Sequence, residues 1–312
     1  MKKLLYLIIT VVLCMSEACQ YDSFNSKDDE ADSLKVDSSI HIAIVPIDEA
    51  EPFCLAYMQG WFDSLGIEVT IDTFMSAMDA DTAFVNGSSH LLLTDSVRAA
   101  YLSKVCPVSN DSDSVAVLCT DTLRLSLMTG KSARIKNIKS LKDKIIAVTR
   151  NSAVDHTADL VMKAAQMKNE ELNRPQINDI GLRANMLGLD QYDGAILPEP
   201  YATQCEKRGA YRLYQSESMM LAVVAKQRFA RSHRKEIETI IKAYKDAKVE
   251  WLKIKAERLR IEKEEEEKQR LIDEQLRKER EEDSLKRAED SLRRVKESQE
   301  QIKKTRKKNH GS

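Results

Sequence analysis

The stretch HIAIVPIDEAEPFCLAYMQGWFDSLGIEV, residues 41–69, sets the reading of the whole chain. Its first six residues form an apolar run of strand length, so a strand is expected from His41 to Pro46. Pro52 suits a first helical turn, and Phe53, Tyr57 and Trp61 recur at fourfold spacing. Pro52 to Ser64 is therefore expected to be an amphipathic helix on that strand, ended by Gly66. Ile67 to Phe74 alternates apolar and polar residues as a half-buried strand does. Strand, helix and strand in this order build a mainly parallel sheet with helices on its faces.

The same rhythm continues outward. A helix around Asp79 to Val85, a strand from His90 to Thr94 and a helix from Asp95 to about Leu102 complete a first half-domain. Ser114 to Thr120 and Leu123 to Met128 are apolar strands with few residues between them, which suggests an antiparallel pair. The pattern then recurs with a strand at Ile145 to Thr149. Ser152 and Asp155 have capping-box spacing before a helix whose Val154, Ala158, Val161 and Ala165 share one face. Strands at Gln176 to Ile180, Gly194 to Pro198, Tyr211 to Gln215 and Met219 to Ala225 alternate with helices ending at Gly188 and starting at Glu199. A last helix begins near Ser232.

Two α/β lobes joined by extended segments leave a cleft, and ligands of open α/β sheets sit beyond the carboxyl ends of the strands. The turns after Pro46, Phe74, Thr94, Thr149 and Leu197 are thus the places to look for a site.

Both ends of the chain differ from this middle. Lys2 and Lys3 followed by the apolar Leu4 to Leu13 read as an export signal over residues 1–19, too short to span a bilayer. Ser16-Glu17-Ala18-Cys19 resembles the lipobox of bacterial lipoproteins, with Ser16 where Leu is usual. The resemblance implies that Cys19 becomes the acylated N-terminus that holds the protein to a membrane. Residues 20–39 are rich in Asp, Ser and Lys and are expected to be a flexible tether. Within the tether, Lys27-Asp28-Asp29-Glu30 resembles the acidic surface-export signal of Bacteroidetes lipoproteins, so display at the cell surface stands beside a periplasmic location. The whole chain has 49 Lys and Arg against 50 Asp and Glu, a net charge of -1 that gives no reason to expect nucleic acid as a partner. From Lys253 to Lys308, however, 20 basic and 16 acidic residues crowd into 56. Lys253 to Lys308 contain no Pro or Gly, so the charged tail of residues 251–312 is expected to be a long helix. Leu285, Ala288, Leu292, Val295 and Ile302 fit an a/d register that Gln299 interrupts, which allows a tail-mediated dimer or a partner helix.

Several phrases in order resemble the type II periplasmic substrate-binding proteins of ABC importers, in the branch that binds nitrate, sulfonates, taurine and thiamine pyrimidine precursors. They are Gly60-Trp61-Phe62 before Leu65 to Val69, Ala83 to Gly87 before Leu91 to Asp95, and Leu141 to Val148 with Asp143 in place of Gly. The most specific is Tyr192-Asp193-Gly194-Ala195 leading into Leu197-Pro198-Glu199-Pro200-Tyr201-Ala202. The likeness covers residues 40–250. It implies a bilobal α/β fold of the type II periplasmic-binding-protein kind, extended here by the charged C-terminal helix. It also implies a small-molecule ligand and importer membrane subunits as partners. No cofactor is assigned, and the cysteines have neither C-x-x-C spacing nor a nearby His to suggest a metal site.

On that scaffold the candidate ligand-binding residues are Asp48, Glu49, Thr94, Asp95, Arg150, Asn151, Ser152, Glu199 and Tyr201. Arg150, Asn151 and Ser152 open a helix whose free N–H groups favour an anion, or serve as an ordinary cap. Asp48 and Glu49 suit a cationic ligand or the N-terminus of the following helix. Glu199 and Tyr201 lie in the turn that resembles the family's cleft motif, where a carboxylate and a phenol fix a ring or an amine, unless Glu199 caps its helix. Thr94 and Asp95 suit both binding and capping. The histidines His41, His90, His156, His233 and His310 are scattered, and neither a G-x-S-x-G elbow nor a Gly-rich phosphate loop occurs, so no catalytic group is assigned. Cys54, Cys106, Cys119 and Cys205 allow three pairings or none, with Cys106 and Cys119 candidates for neighbours on adjacent strands. The leading expectation is a membrane-anchored solute-binding lipoprotein. An envelope interaction protein that works through its tail is the alternative, and an enzyme on the same fold comes third.

Overall fold

A computed structural model describes residues 39–106 and 114–309, with side chains as far as 297. The expected signal segment, Cys19, the tether up to residue 38, the loop at 107–113 and His310 lie outside the described residues. The first lobe is built on a five-stranded sheet, ordered β2-β1-β3-β10-β4. Its strands are β1 (Ile40–Ile44), β2 (Val69–Thr73), β3 (Leu91–Asp95), β4 (Val115–Leu123) and β10 (Met219–Lys226). β1 runs parallel to β2 and β3, whereas β10 runs antiparallel to β3 and β4. The second lobe repeats the plan with β5 (Leu125–Thr129), β6 (Lys144–Ala147), β7 (Leu172–Asn173), β8 (Gly194–Pro198) and β9 (Tyr211–Gln215), ordered β7-β6-β8-β5-β9.

Helix formation follows the punctuation in the sequence. The expected single helix from Pro52 to Ser64 is divided into α1 (Glu51–Met58) and α2 (Trp61–Ser64), because Gly60 adopts φ 66° and turns the chain left-handed between them. α3 (Ala77–Asn86) is capped by Ser76, α4 (Ser96–Val105) by Asp95 and α5 (Ala153–Ala165) by Ser152. The expected capping box does not form: Ser152 accepts from the Val154 amide at 3.1 Å as an ordinary N-cap, and the Asp155 side chain turns to Arg174 at 3.0 Å and Arg150 at 3.3 Å. Ile180–Gly188 forms α6, Tyr201–Lys207 forms α7 and Gln227–Ser232 forms α8.

Two expected strands fall differently. β4 and β5 do not pair with each other, since β4 lies beside β10 and β5 lies between β8 and β9. Arg124 alone separates them, too little for a hairpin turn, so the chain passes there from one lobe to the other. It returns between Gln215 and Met219, and the two crossings are joined by Ser216 N–H donating to the Leu125 carbonyl at 2.8 Å. Gln176 to Ile180 is not a strand either. After Pro175 only one bridge forms, between Gln176 and Val148, and Asp179 turns to cap α6 by accepting from Leu182 N–H at 2.7 Å. Cys106 closes α4 rather than lying on a strand beside Cys119 of β4.

The last helix is one element, α9 (Arg234–Asn309), with no break near residue 250. Ile237, Ile240, Ile241, Ala243, Tyr244 and Ala247 are buried in the first lobe, where the Tyr244 ring stacks on Phe53 at 4.4 Å. Farther along, Leu271, Ile272, Leu276, Leu285, Leu292 and Val295 are exposed. Lys255 pairs with Asp48 of the first lobe, and Glu262 pairs with Lys207 of α7 in the second. No helix of the described residues is long and apolar enough to cross a membrane.

Candidate functional site

The carboxyl ends of β1, β3 and β8 and the N-termini of α4 and α5 converge on a cavity of about 60 Å³ between the two sheets. Its walls include Val45, Leu92, Leu123, Ile180 and Pro198, with polar groups from Asp81, Thr94, Asp95, Thr149, Ser152 and Arg183. Apolar walls with a few convergent polar side chains are the usual lining of a small-molecule site, although such sites commonly measure about 300–1,000 Å³. Asp81 also walls a second hollow of about 340 Å³, with Arg98, Tyr101, Arg150, Asn151 and Gln176 around it.

Three charged side chains of this region, Asp81, Arg98 and Arg183, are almost wholly buried. Asp81 is 5 % exposed and Arg98 4 %, and they form an ion pair in which Arg98 Nε donates to Asp81 Oδ2 at 2.6 Å. Burial pushes the Asp81 carboxyl above the usual carboxylate range, and the pairing with Arg98 offsets part of that rise. Arg98 also reaches across to the second lobe, donating from Nη1 to the Arg150 carbonyl at 3.3 Å. Arg183, 1 % exposed, donates from Nη1 to Thr149 Oγ1 and the Ile177 carbonyl, both at 2.6 Å, and from Nε to the Ile196 carbonyl at 3.1 Å.

Asp95 is a point at which the two lobes meet. Its Oδ1 accepts from Val97 and Arg98 N–H of α4, each at 3.0 Å, and from Ala153 N–H of α5 at 3.0 Å. Burial raises its pKa despite those three donors. Ser152 is buried beside it and donates to the Thr149 carbonyl at 2.6 Å.

The residues expected from the sequence are thus distributed. Thr94, Asp95 and Ser152 line the 60 Å³ cavity, and Arg150 and Asn151 line the larger hollow. Arg150 is held by Asp155 and by the Arg174 carbonyl at 2.9 Å. Asp48 and Glu49 face α9 instead, where Asp48 pairs with Lys255 and the Glu49 carbonyl accepts from Tyr244 Oη at 3.3 Å. Glu199 accepts from Arg212 Nη1 at 2.8 Å and from Thr203 N–H at 3.0 Å, which caps α7. Tyr201 begins α7 and packs between the two core clusters.

Sequence reasoning missed Asp81, Arg98 and Arg183. The signal was present: Asp81 sits with Ala80, Ala83 and Phe84, and Arg183 with Ile180, Ala184 and Leu187, on the buried faces of their helices. A lone charge in an apolar helical stripe marks a group with an internal partner or a ligand. Three of the histidines that look scattered come together as well. The rings run His41, His90, Phe229, His233, with successive centroids 5.7, 4.6 and 4.1 Å apart, on a part of the first lobe that none of the cavity walls includes.

The NMT1/THI5-like family model matches residues 49–253. No curated protein sequence matches the chain. Among solved structures, the ligand-binding component of an ABC-type import system from Staphylococcus aureus superposes with a TM-score of 0.57 at 13% identity, covering 67% of this chain and 73% of that one. The alkanesulfonate-binding protein of Xanthomonas axonopodis pv. citri, bound to MOPS, gives 0.54 at 14%, covering 67% and 72%. The periplasmic nitrate-binding protein of Synechocystis PCC 6803 gives 0.57 at 13%, covering 67% and 60%. At these identities the likeness is one of fold, and it is the periplasmic-binding-protein fold expected from the sequence. Together with a match over some two thirds of its length, this places the chain in the NMT1/THI5-like family.

Proposed function

We propose that the protein is the solute-binding component of an ABC import system, anchored to a membrane through lipid on Cys19 and facing the periplasm. It captures a small polar ligand between its lobes and hands it to importer membrane subunits. The observation that carries this reading is the cavity between the two sheets, apolar with a few convergent polar side chains, where the chain itself passes between the lobes at Arg124 and 216–218. Such crossings act as a hinge, and contacts made by both lobes exist only when the hinge is shut. A ligand that makes those contacts shifts the population towards the closed state, which is the whole of the mechanism, so the reading assigns binding and no catalysis. Thr94, Asp95, Arg150, Asn151 and Ser152 are its expected ligand-side residues, with Glu199 and Tyr201 shaping the second lobe's edge. The family membership and the sulfonate and nitrate ligands named for structural neighbours support it.

Thermal unfolding of the full chain against sulfonates, amino-pyrimidines, oligopeptides and simple anions tests the proposal. Ligand at about 100 times Kd stabilises by about 2.7 kcal/mol, and each kcal/mol moves Tm by roughly 2–4 °C in a domain of this size. A selective rise, with uptake of the same compound lost on deletion of the protein, is the expected result. A flat response from the folded chain overturns it. Cys19→Ala is expected to release the protein from membranes into the soluble fraction.

A second reading rests on the exposed Leu271, Leu285, Leu292 and Val295 of α9, which suit a dimer or an envelope partner. Leu285→Glu with Leu292→Glu is expected to abolish such an association in sedimentation or cross-linking, and unchanged association removes this reading.

A further inference from the structure

The cleft contains a seat for an anion, and the chain fills that seat itself. Helix N-termini attract anions because their first N–H groups have no partner within the helix and the helix dipole is positive there. α4, of ten residues, and α5, of thirteen, belong to different lobes and bring their N-termini to one place. What lies between them is Asp95 Oδ1, which takes two N–H groups from α4 and the Ala153 N–H of α5, all at 3.0 Å. A single carboxylate oxygen therefore makes the contacts in both lobes that a bound oxyanion would make.

A second observation at the same cavity is independent of the helix ends. Asp81 is 5 % exposed, and while its Oδ2 is held by Arg98, its buried Oδ1 has no hydrogen-bond partner among the described residues. A buried acceptor in this condition has given up water without replacement, and a donor is the partner that restores the loss. A second anion placed there would meet the Asp81 and Asp95 carboxylates, while the guanidinium groups nearby are already engaged, Arg98 by Asp81 and Arg183 by Thr149 and the Ile177 and Ile196 carbonyls.

We propose that Asp95 is a built-in substitute for an anionic ligand, so that the cleft refuses free oxyanions and receives a small ligand whose N–H or O–H donor meets Asp81 Oδ1. The inference rests on reading the cleft as a ligand site, and it adds the chemical class of what enters. Specificity is set against the commonest competitors by an unfavourable charge, which is a recognised way to discriminate.

The test is the melting temperature of the purified full chain and of Asp95→Ala and Asp95→Asn, each with and without millimolar sulfate. Sulfate is expected to leave the native chain unchanged and to raise Asp95→Ala by about 5 °C as it takes the vacated seat. Asp95→Asn, which keeps an acceptor but loses the charge, is expected to lie between. Should Asp95→Ala fail to fold, the comparison of Asp95→Asn with the native chain decides the matter. A rise in the native chain equal to that of the variants, or no rise in any of them, overturns the proposal. 4-Aminopyrimidine and methylammonium then probe Asp81: a rise with either in the native chain that disappears in Asp81→Asn supports the assignment, and silence from both overturns it. None of these readings depends on an importer. Sulfate binding to the native chain with intact uptake refutes this inference alone, whereas donor binding without any uptake refutes the transport reading alone.

Discussion

Arg98 and Arg183 are both almost wholly buried, one in each lobe, yet they are neutralised in opposite ways. Arg98 carries its counter-charge with it, since Asp81 lies one helix away in the same lobe and accepts from its Nε at 2.6 Å. The three acceptors that hold Arg183 are a hydroxyl and two carbonyls, and no carboxylate pairs with it among the described residues. Burial lowers the Arg183 pKa to about 10, which leaves it charged at neutral pH. Arg98 is thus neutralised by a carboxylate of its own lobe, whereas Arg183 is held by neutral acceptors alone. A buried pair and a buried single charge demand different things from their surroundings, and mutation separates them.

Removing one partner of the pair is expected to cost most. Arg98→Ala leaves Asp81 uncompensated and is expected to lower stability by about 3–5 kcal/mol in urea unfolding. Arg183→Met keeps the volume and strands only neutral acceptors, so about 1–3 kcal/mol is expected, and a loss equal to that of Arg98→Ala would break the contrast drawn here. Gly194→Ala measures how tightly the second lobe's sheet is packed beside that arginine. A Cβ there would lie 2.7 Å from the Met128 carbonyl and from Ile146 Cδ1, and about 1–3 kcal/mol of destabilisation follows from such overpacking.

Glu49 is half-buried, and its compensation is incomplete. Among the described residues its buried Oε2 has no hydrogen-bond partner; burial first, then the nearby Asp48, raises its pKa from 4.5 to about 7, although its own backbone N–H and Lys255 pull the other way. The folded chain binds this proton more tightly than the unfolded chain, so stability falls as pH rises from about 4.5 through 7. Glu49→Gln is expected to flatten that slope and to stabilise the protein by about 1 kcal/mol above pH 7, read from urea midpoints across pH. The smallest effect is expected at the surface. Lys207 and Glu262 are 50% and 42% exposed, so Lys207→Ala costs about 0.2–1 kcal/mol, and less in high salt.

The strands at 194–198 and 211–215 were legible residue for residue, because short apolar runs bounded by Gly, Pro and polar residues have few other readings. The passage between lobes at Arg124 was not. Two apolar runs one residue apart look like neighbours in a sheet, and only long-range pairing with β10 and β8 shows that they belong to different ones. For the site, the turns after β3 and β6 pointed to Thr94, Asp95 and Ser152 on capping and strand-end rules alone. Asp81 and Arg183 were hidden by the habit of treating charge as exposed, although their positions on apolar helix faces contradict it. Asp48 and Glu49 were drawn away from the cleft by α9, a contact some 200 residues distant that no local pattern contains.

The continuity of α9 has a hydrodynamic consequence. Its buried turns and its solvent-facing turns share one hydrogen-bond ladder of 76 residues, a rod of about 114 Å at about 1.5 Å per residue. A fluorophore placed at Ser291 would not wobble as on a loose tail but would rotate with the first lobe as one slow, strongly anisotropic particle. A pull or twist applied near that position would be carried along the same helix towards Tyr244, which stacks on Phe53 in the first lobe.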